Sequence, residues 1–481
     1  MMDFLTICAV ILAFPVSSVL SQCLTTECAQ NALALAYAYG FPLYAYGLYV
    51  RRYGNVTTNT LYHQRALTGA QFTGVVRPNA DTVYSTTFVD LSENDLELEV
   101  PDFGDRYWVW PFSDAYANDV ANIGSISNST PGKYLVRYDQ TNVGVQTEKV
   151  KGDYKAYLNI PTPYGIAITR ILVKSELNDI EAVNDLQDQL NITLVPRYSP
   201  PVAPAFNLSL FNNTAFVPSA NNSLAQAVLS LTAALAPYNE PEAPQDRTWV
   251  PQLLTNAGIN LANNTWTQPS DTNLTAAQAA ANASYNALST LPSYTIDLGN
   301  NWTSTASSIQ GDFGSYYQAR YRTAVVGYLA LTAEQVIYPS FPNLDIPADG
   351  AVLFQFSAKP KIKQGGFWSL TVYNSDQYLV SNTLNRYAIG DRSNLTYSDG
   401  TLVYGNGTDD ADGPLEVLLQ PNDIVPPTNW TGNWLPAPDG GGVVSVTLRW
   451  YGPEDSMTNG DYVYPKVTLI DAIRGENATT K

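Results

Sequence analysis

Two short stretches concentrate the side chains able to do chemistry. Arg77, Asn79, Asp81 and Tyr84 crowd around a turn containing Pro78, and Asp114, Tyr116 and Asn118 follow Pro111 at a second corner. Pro and Asn favour turns, whereas Thr82, Val83, Tyr84, Thr86, Thr87, Phe88 and Val89 favour extended chain, so the first corner runs into a strand. At the second, a strand breaks at a Pro. Asp81 and Asp114 would give the carboxylate pair of glycoside hydrolysis, their separation deciding the stereochemical outcome. Tyr84 or Tyr116, helped by Arg77, would instead take a proton beside a carboxylate, the chemistry of a polysaccharide lyase. The structural alternative stays open: Asp and Asn at such corners bond nearby backbone amides, and Arg77 pairs with Asp81.

A third group lies toward the other end of the chain. Trp368, Arg386, Tyr387, Trp434 and Arg449, with Tyr373 and Asn374, can line a cleft. There aromatic faces would stack on sugar rings or flat apolar ligands, while Asn and Arg bond hydroxyls or carboxylates. Core packing is the competing reading in a chain that is 12% aromatic. Arg77, Asn79 and Asn118 join these as ligand-binding candidates. A buried charge stripped of its partner costs on the order of 3–5 kcal/mol. The polar groups of the two regions are therefore expected to share one cleft, with Arg77, Asp81 and Tyr84 near Arg386 or Trp434. The alternative places each at its own domain edge, satisfied by local salt bridges.

Missing residue types narrow the chemistry. The one histidine, His63, cannot build a His-based zinc site, cysteine ligands are too few, and no G-x-S-x-G elbow accompanies it. His63 reads as a surface residue. No Walker or Rossmann glycine-rich loop is present. Neither a metal nor a cofactor is expected. A net charge of −18 repels nucleic acid and anionic membranes, which leaves a small molecule or carbohydrate as the partner.

Charged residues make up only 14% of the 481 residues, against about 25% in typical soluble domains. N-x-Ser/Thr sequons begin at Asn55, Asn128, Asn191, Asn207, Asn212, Asn221, Asn263, Asn273, Asn282, Asn301, Asn394, Asn406, Asn429 and Asn477. Glycans there would supply the missing solvation and mark eukaryotic secretion. Residues 4–20 read as an apolar signal segment closed by Pro15 and small residues, with cleavage before Gln22, although Asp3 and the lack of a basic leader depart from the pattern. The apolar run is shorter than the roughly 20 residues of a membrane span. Cleavage removes Cys8 and leaves Cys23 and Cys28 to close a small disulfide loop. The expectation is a secreted, extracellular glycoprotein with no stable membrane anchor after cleavage; homo-oligomerisation stays open.

The elements that must position these groups follow from periodicity. Residues 29–53 read as a helix with Leu33, Tyr37, Phe41, Tyr44 and Leu48 on one stripe, kinked or ended midway by Gly40 and Pro42. From 69 to 173 short strands punctuated by Pro and Gly, without intervening helices, point to an antiparallel sandwich or barrel. Residues 176–190 form an acidic surface helix, and 222–236, 251–262, 274–288 and 311–333 are further helical candidates. Strand patterns resume at 351.

Residues 77–84, with the corner at 110–118, resemble the domain of unknown function 1254. Phe367-Trp368-Ser369-Leu370-Thr371-Val372-Tyr373-Asn374, Asn385-Arg386-Tyr387 and the runs 433–438 and 449–453 resemble the domain of unknown function 1214. Tyr317, Arg322, Tyr338, Pro339 and Asp345 are similar to the segment joining the two, and the Asn/Pro/Ala-rich stretch 196–300 is an elaboration. The resemblance implies jelly-roll-like sandwiches and no particular reaction. The expected architecture is mainly β with α: a signal peptide at 1–21, a helix plus β-sandwich at 22–175, a mainly helical, sequon-bearing middle region at 176–335, and a second antiparallel β-sandwich at 336–481. The expected function is binding or cleavage of carbohydrate or a small organic acid through Asp, Tyr and Arg, by hydrolase or lyase chemistry without a histidine base if catalytic. A non-catalytic extracellular binding or structural glycoprotein is the alternative.

Overall fold

The computed structural model describes residues 23–73, 76–175, 179–405 and 412–475. The leader 1–21 with Cys8, the sequons at Asn406 and Asn477, and the start of the 176–190 helix lie outside them. The fold is mainly β with a layer of helices. Among the described residues no helix is long and apolar enough to cross a membrane.

The Cys23–Cys28 disulfide leads into α1 (Thr26–Tyr53), whose N-terminus is capped by the Thr25 side chain accepting from the Cys28 amide. Helix α1 runs through Gly40 and Pro42, where the sequence suggests a kink or an end. It is buried along most of its length, so packing outweighs the roughly 3 kcal/mol that an interior Pro costs. Four helices, α3 (Leu224–Leu235), α4 (Trp249–Asn256), α5 (Leu274–Leu288) and α6 (Tyr317–Val326), pack around it, while α2 (Ile180–Asp188) belongs elsewhere. Helix α6 is shorter than the 311–333 pattern because Gly327 ends it and Leu329 takes a positive φ of 65°. Gly40 is required by close approach: a Cβ there would lie 1.8 Å from Thr232 Oγ1 of α3.

The first sandwich is built from two five-stranded sheets. One has the order β1 (Tyr62–His63), β2 (Thr82–Asp90), β9 (Tyr164–Leu172), β4 (Trp108–Asp114), β5 (Asp119–Gly124). The other runs β10 (Asn191–Pro196), β3 (Asn94–Val100), β6 (Gly132–Tyr138), β8 (Tyr154–Ile160), β7 (Gly144–Gln146), and only β6–β8 is parallel in this sandwich. Val83, Trp108, Trp110, Phe112 and Ile171 of the first sheet fill the core against Leu96, Leu98, Val136 and Leu158 of the second. Period-two alternation then places Tyr84 and Arg170, directly opposite one another in the β2–β9 ladder, on the outer face. Helix α2 and β10 complete this sandwich, so its chain continues to Pro196.

Two small hairpins follow, β11 (Ile259–Asn260) with β12 (Thr265–Trp266) and β13 (Thr295–Gly299) with β14 (Trp302–Thr305). In the second sandwich the long strand β22 (Gly442–Pro453) pairs with β18 (Ile362–Tyr373), with β15 (Val336–Ile337) and with β16 (Leu344–Ile346), and β18 also pairs with β19 (Ala388–Gly390). Its other sheet has the order β21 (Trp434–Ala437), β20 (Leu415–Pro421), β17 (Gly350–Phe356), β23 (Lys466–Asp471), with β20–β21 parallel. Trp302, Trp368, Leu370, Leu448 and Trp450 lie in its core. Alternation turns Phe367, Ser369, Thr371, Arg449 and Tyr451 toward the first sandwich.

The two outer faces meet. Tyr107, Val109 and Leu172 of the first pack with Val336, Phe367 and Tyr451 of the second and with Leu331 of the connection. At the edge of this contact Asp81, 2% exposed, accepts from Ser369 Oγ at 2.7 Å and forms an ion pair with Arg392, which also pairs with Asp391. Arg449 donates to Thr371 Oγ1, Tyr373 Oη and the Arg77 carbonyl, and the Tyr373 hydroxyl donates to the Pro78 carbonyl.

Substitution Gly40→Ala is expected to lower stability by about 1–3 kcal/mol, opposite in sign to the roughly 1 kcal/mol gain from helix propensity alone. Adding Thr232→Ala should recover most of the loss in urea denaturation. Substitution Asp81→Asn should cost about 3 kcal/mol, the lower end for a broken buried pair, because Arg392 keeps Asp391; an unchanged melting temperature would show that the joint does not depend on this carboxylate.

Candidate functional site

The corner residues singled out by sequence are used in different ways. Asn79 Oδ1 accepts from the Asp81 and Thr82 amides, an Asx turn, while its Nδ2 donates to Tyr451 Oη at 2.6 Å. Arg77 is exposed in a left-handed conformation at φ 49°, and its Nε donates to Gln377 Oε1 at 2.7 Å rather than to Asp81. Asp114 is fully buried, with one oxygen accepting from the Tyr116 and Asn118 amides and the other from Asn118 Nδ2. Tyr116 is buried and donates to the Asn239 carbonyl. Beside this corner Arg320 stacks on Tyr39, Tyr116 and Tyr317.

Asp81 and Asp114 cannot act as one acid/base pair. The Val173 amide bonds the Asp81 carbonyl and Asp114 pairs with Gly165 in register, so they lie at opposite ends of β9. That strand separation is roughly 25 Å, against about 5–9.5 Å for glycosidase carboxylates. Tyr84 and Tyr116 are poor bases as well, since burial raises both phenols above their ordinary range and keeps them protonated.

The second group divides. Arg449 faces the first sandwich, but Arg386 donates to the Thr431 and Trp434 carbonyls and Trp434 Nε1 donates to the Gln420 carbonyl, all within the second sandwich. Trp368 is buried in that core with its Nε1 donating to Tyr404 Oη, and Tyr387 is half-buried. The polar groups of the two regions thus meet through Asp81, Ser369, Arg392 and Arg449, not through Arg386 or Trp434. His63 is half-buried, with Nδ1 at 2.8 Å from Ser85 Oγ, and burial lowers its pKa.

Between the sandwiches lies a residue the corner motifs do not include. Arg170, 8% exposed, donates from one Nη to the Leu329 carbonyl at 2.8 Å. Its Nε has no hydrogen-bond partner, and no carboxylate lies within ion-pair distance among the described residues. Four phenols stand close enough to interact with its charge, those of Tyr338, Tyr84, Tyr451 and Tyr107. The guanidinium lies 5.8 Å from the Tyr84 ring centroid. The buried Tyr107 hydroxyl is unpartnered, and Tyr451 accepts from Asn79 and keeps its own proton to donate. Burial holds Tyr84, Tyr107 and Tyr451 protonated, so they offer donors rather than negative charge. Partial desolvation of the guanidinium by its neighbours lowers the pKa of Arg77, and Arg449 and Arg322 add positive potential there.

The carboxylate that comes into electrostatic reach of Arg170 is Asp119. The two line a cavity of about 10 Å³ with Ser113 and Leu329. Burial pushes Asp119 up to about 6, against the stabilising bonds from the Thr332 amide and Asn122 Nδ2 and the field of Arg170. The arrangement is a cluster of donors around a buried, incompletely compensated cation, which suits an anion. One signal for it was present in the sequence: Arg170 interrupts the apolar run Ile166, Ile168, Ile171 of a strand. Tyr107 and Tyr338 carried no such mark.

Comparison with known proteins agrees with the division into two β units. Residues 58–194 match the model of a protein of unknown function, DUF1254, and residues 345–455 match that of a second, DUF1214. No functionally curated protein matches the chain. Among solved structures, the VPA0106 protein from Vibrio parahaemolyticus shares the fold with a TM-score of 0.62 at 17% identity, over 93% of this chain and 100% of that one. A protein from Burkholderia cenocepacia aligns over 97% of this chain and 98% of its own at 11% identity and a TM-score of 0.43. With sandwiches where the two matches fall and a helical layer between them, the chain belongs to the proteins that pair an N-terminal DUF1254 domain with a C-terminal DUF1214 domain.

Proposed function

We propose that this protein binds a small organic acid at the junction of its two sandwiches, with the acid's carboxylate on Arg170. The observation that carries the reading is a buried guanidinium with an unpartnered Nε, no ion-pair partner, and the donors of Tyr84, Tyr107, Tyr338 and Tyr451 around it. Natural folds seldom keep a buried charge uncompensated, because breaking such a pair costs several kcal/mol. A planar carboxylate matches the guanidinium fork and restores the balance. Tyr84 acts here as a donor rather than as a base, so the reading is one of recognition and assigns no turnover.

We also propose that the protein is extracellular and N-glycosylated. The sequon asparagines among the described residues are exposed, apart from Asn282. That residue is half-buried and its Oδ1 accepts from the Tyr321 hydroxyl at 2.5 Å.

Four outcomes are expected. In calorimetric titration with acetate, succinate and benzoate, Arg170→Met should weaken binding about 10- to 100-fold, the worth of a charge-assisted hydrogen bond. The same variant should leave the ligand-free melting temperature unchanged or raised, since apolar replacement of a poorly compensated buried charge is often neutral or stabilising; a large fall would make Arg170 a structural residue and end the reading. Affinity should rise as pH falls from 7.5 to 5.5, because Asp119 takes up a proton near 6 and stops repelling the bound anion, whereas an Asp119→Asn protein should lose that slope. Peptide mass spectrometry of protein secreted from a eukaryotic host should find Asn282 unmodified while glycans occupy exposed sequons.

A further inference from the structure

A pocket of about 880 Å³ opens beside β5, between the first sandwich and the connection that follows α5. Its volume is in the range of small-molecule sites, about 300–1,000 Å³. Three residues that line it carry a buried oxygen with no hydrogen-bond partner: Asp119 Oδ1, Asn122 Oδ1 and Gln335 Oε1. Asp119 and Gln335 are 2% and 4% exposed, so water cannot freely satisfy them. The Asn122 orientation follows from its partner, since Nδ2 donates to the acceptor-only carboxylate of Asp119, and Gln335 is placed with Nε2 donating to Ser127 Oγ. The other charged residues on the wall are Asp312, Glu334 and Lys155, which leaves an acidic excess. Among the lining residues no buried donor is left unpartnered, so the mismatch is one-sided.

We infer that this pocket is a second binding site, one that takes the protonated primary amine of a small organic cation such as a diamine or polyamine. An ammonium group has three donors and no acceptor, which is the complement of the wall. A neutral polyol carries as many acceptors as donors and would leave the excess carboxylate uncompensated. Asp119 supplies the charged contact, Asn122 and Gln335 the neutral acceptors, and Glu334 and Asp312 draw the cation toward the mouth. The inference stands apart from the anion reading in its ligand and its acceptors, although Asp119 lies in the field of Arg170 and borders both places.

Titration of the full-length protein with putrescine and spermidine, and with sorbitol as a neutral polyol, tests it. Both amines should bind, with spermidine the tighter, and sorbitol should not. Asp119→Asn should weaken amine binding about tenfold or more, and Glu334→Gln should weaken it less. Should Asp119→Asn fail to fold, Gln335→Met carries the same expectation, as it removes an acceptor without touching the Thr332 bond. Sorbitol binding as tightly as spermidine, no amine binding at millimolar concentration, or an Asp119→Asn protein with unaltered affinity would each overturn the assignment and make the three oxygens sites for bridging water alone.

Discussion

The carboxylate of Asp81 holds the relation between the two halves of this protein. It immediately precedes β2 of the first sandwich, yet its partners, Ser369 and Arg392, belong to the second. A carboxylate buried this deeply is tolerable only when paired and hydrogen-bonded, so its satisfaction is conditional on the sandwiches being docked. Arg392 is itself laid over Phe367, 4.6 Å from the guanidinium to the ring centroid, in the apolar patch between the sheets. Charge pairing and hydrophobic burial therefore act on the same joint. The Asn79 turn, which fixes the direction in which Asp81 leaves the chain, is tied to Tyr451 across the same boundary.

Against that joint, the other buried cations differ in how they are accommodated. Arg106 has a bidentate partner in Asp179, Arg449 spends its donors on Thr371, Tyr373 and a carbonyl, and Arg320 rests on three aromatic rings. Each is held by groups of its immediate surroundings. Arg320, like Arg170, is buried with a free Nε among protonated phenols, but three ring faces lie within 4.8 Å of its guanidinium, whereas that of Arg170 is 5.8 Å from the Tyr84 ring and lines a cavity. The contrast matters because the other three are closed in by a carboxylate, by hydrogen-bond acceptors or by ring faces, while Arg170 has one carbonyl and a more distant ring.

The helical layer has a different relation to function. Helix α1 is surrounded by α3, α4, α5 and α6, and its glycines admit neighbours at distances that side chains would forbid: Thr232 at Gly40 and Phe211 at Gly47. This layer covers the outer face of the first sheet beside Tyr84 and Ile168. Among the described residues the one hydrogen-bond partner of the Arg170 guanidinium is the Leu329 carbonyl, just past the end of α6. The helical layer and the joint thus frame the site from two sides.

Local sequence determined much here. Period-two runs and Pro/Gly punctuation announced the strands, the Asn79 and Asp114 corners were legible as turns, and the 77–84 and 367–374 runs carried the two family domains. Cys23 and Cys28 were near enough in sequence to be read as a loop. What could not be read was which residues of separate strands would face one another. Arg170 and Tyr84 become neighbours through the β2–β9 register, Tyr451 reaches them only after the sandwiches dock, and Asp81 and Asp114, alike in their local corners, end at opposite ends of β9. Alternation along a strand fixes a side chain's face but not its partner. Partners are set by register and docking, which depend on burial summed over residues hundreds of positions apart.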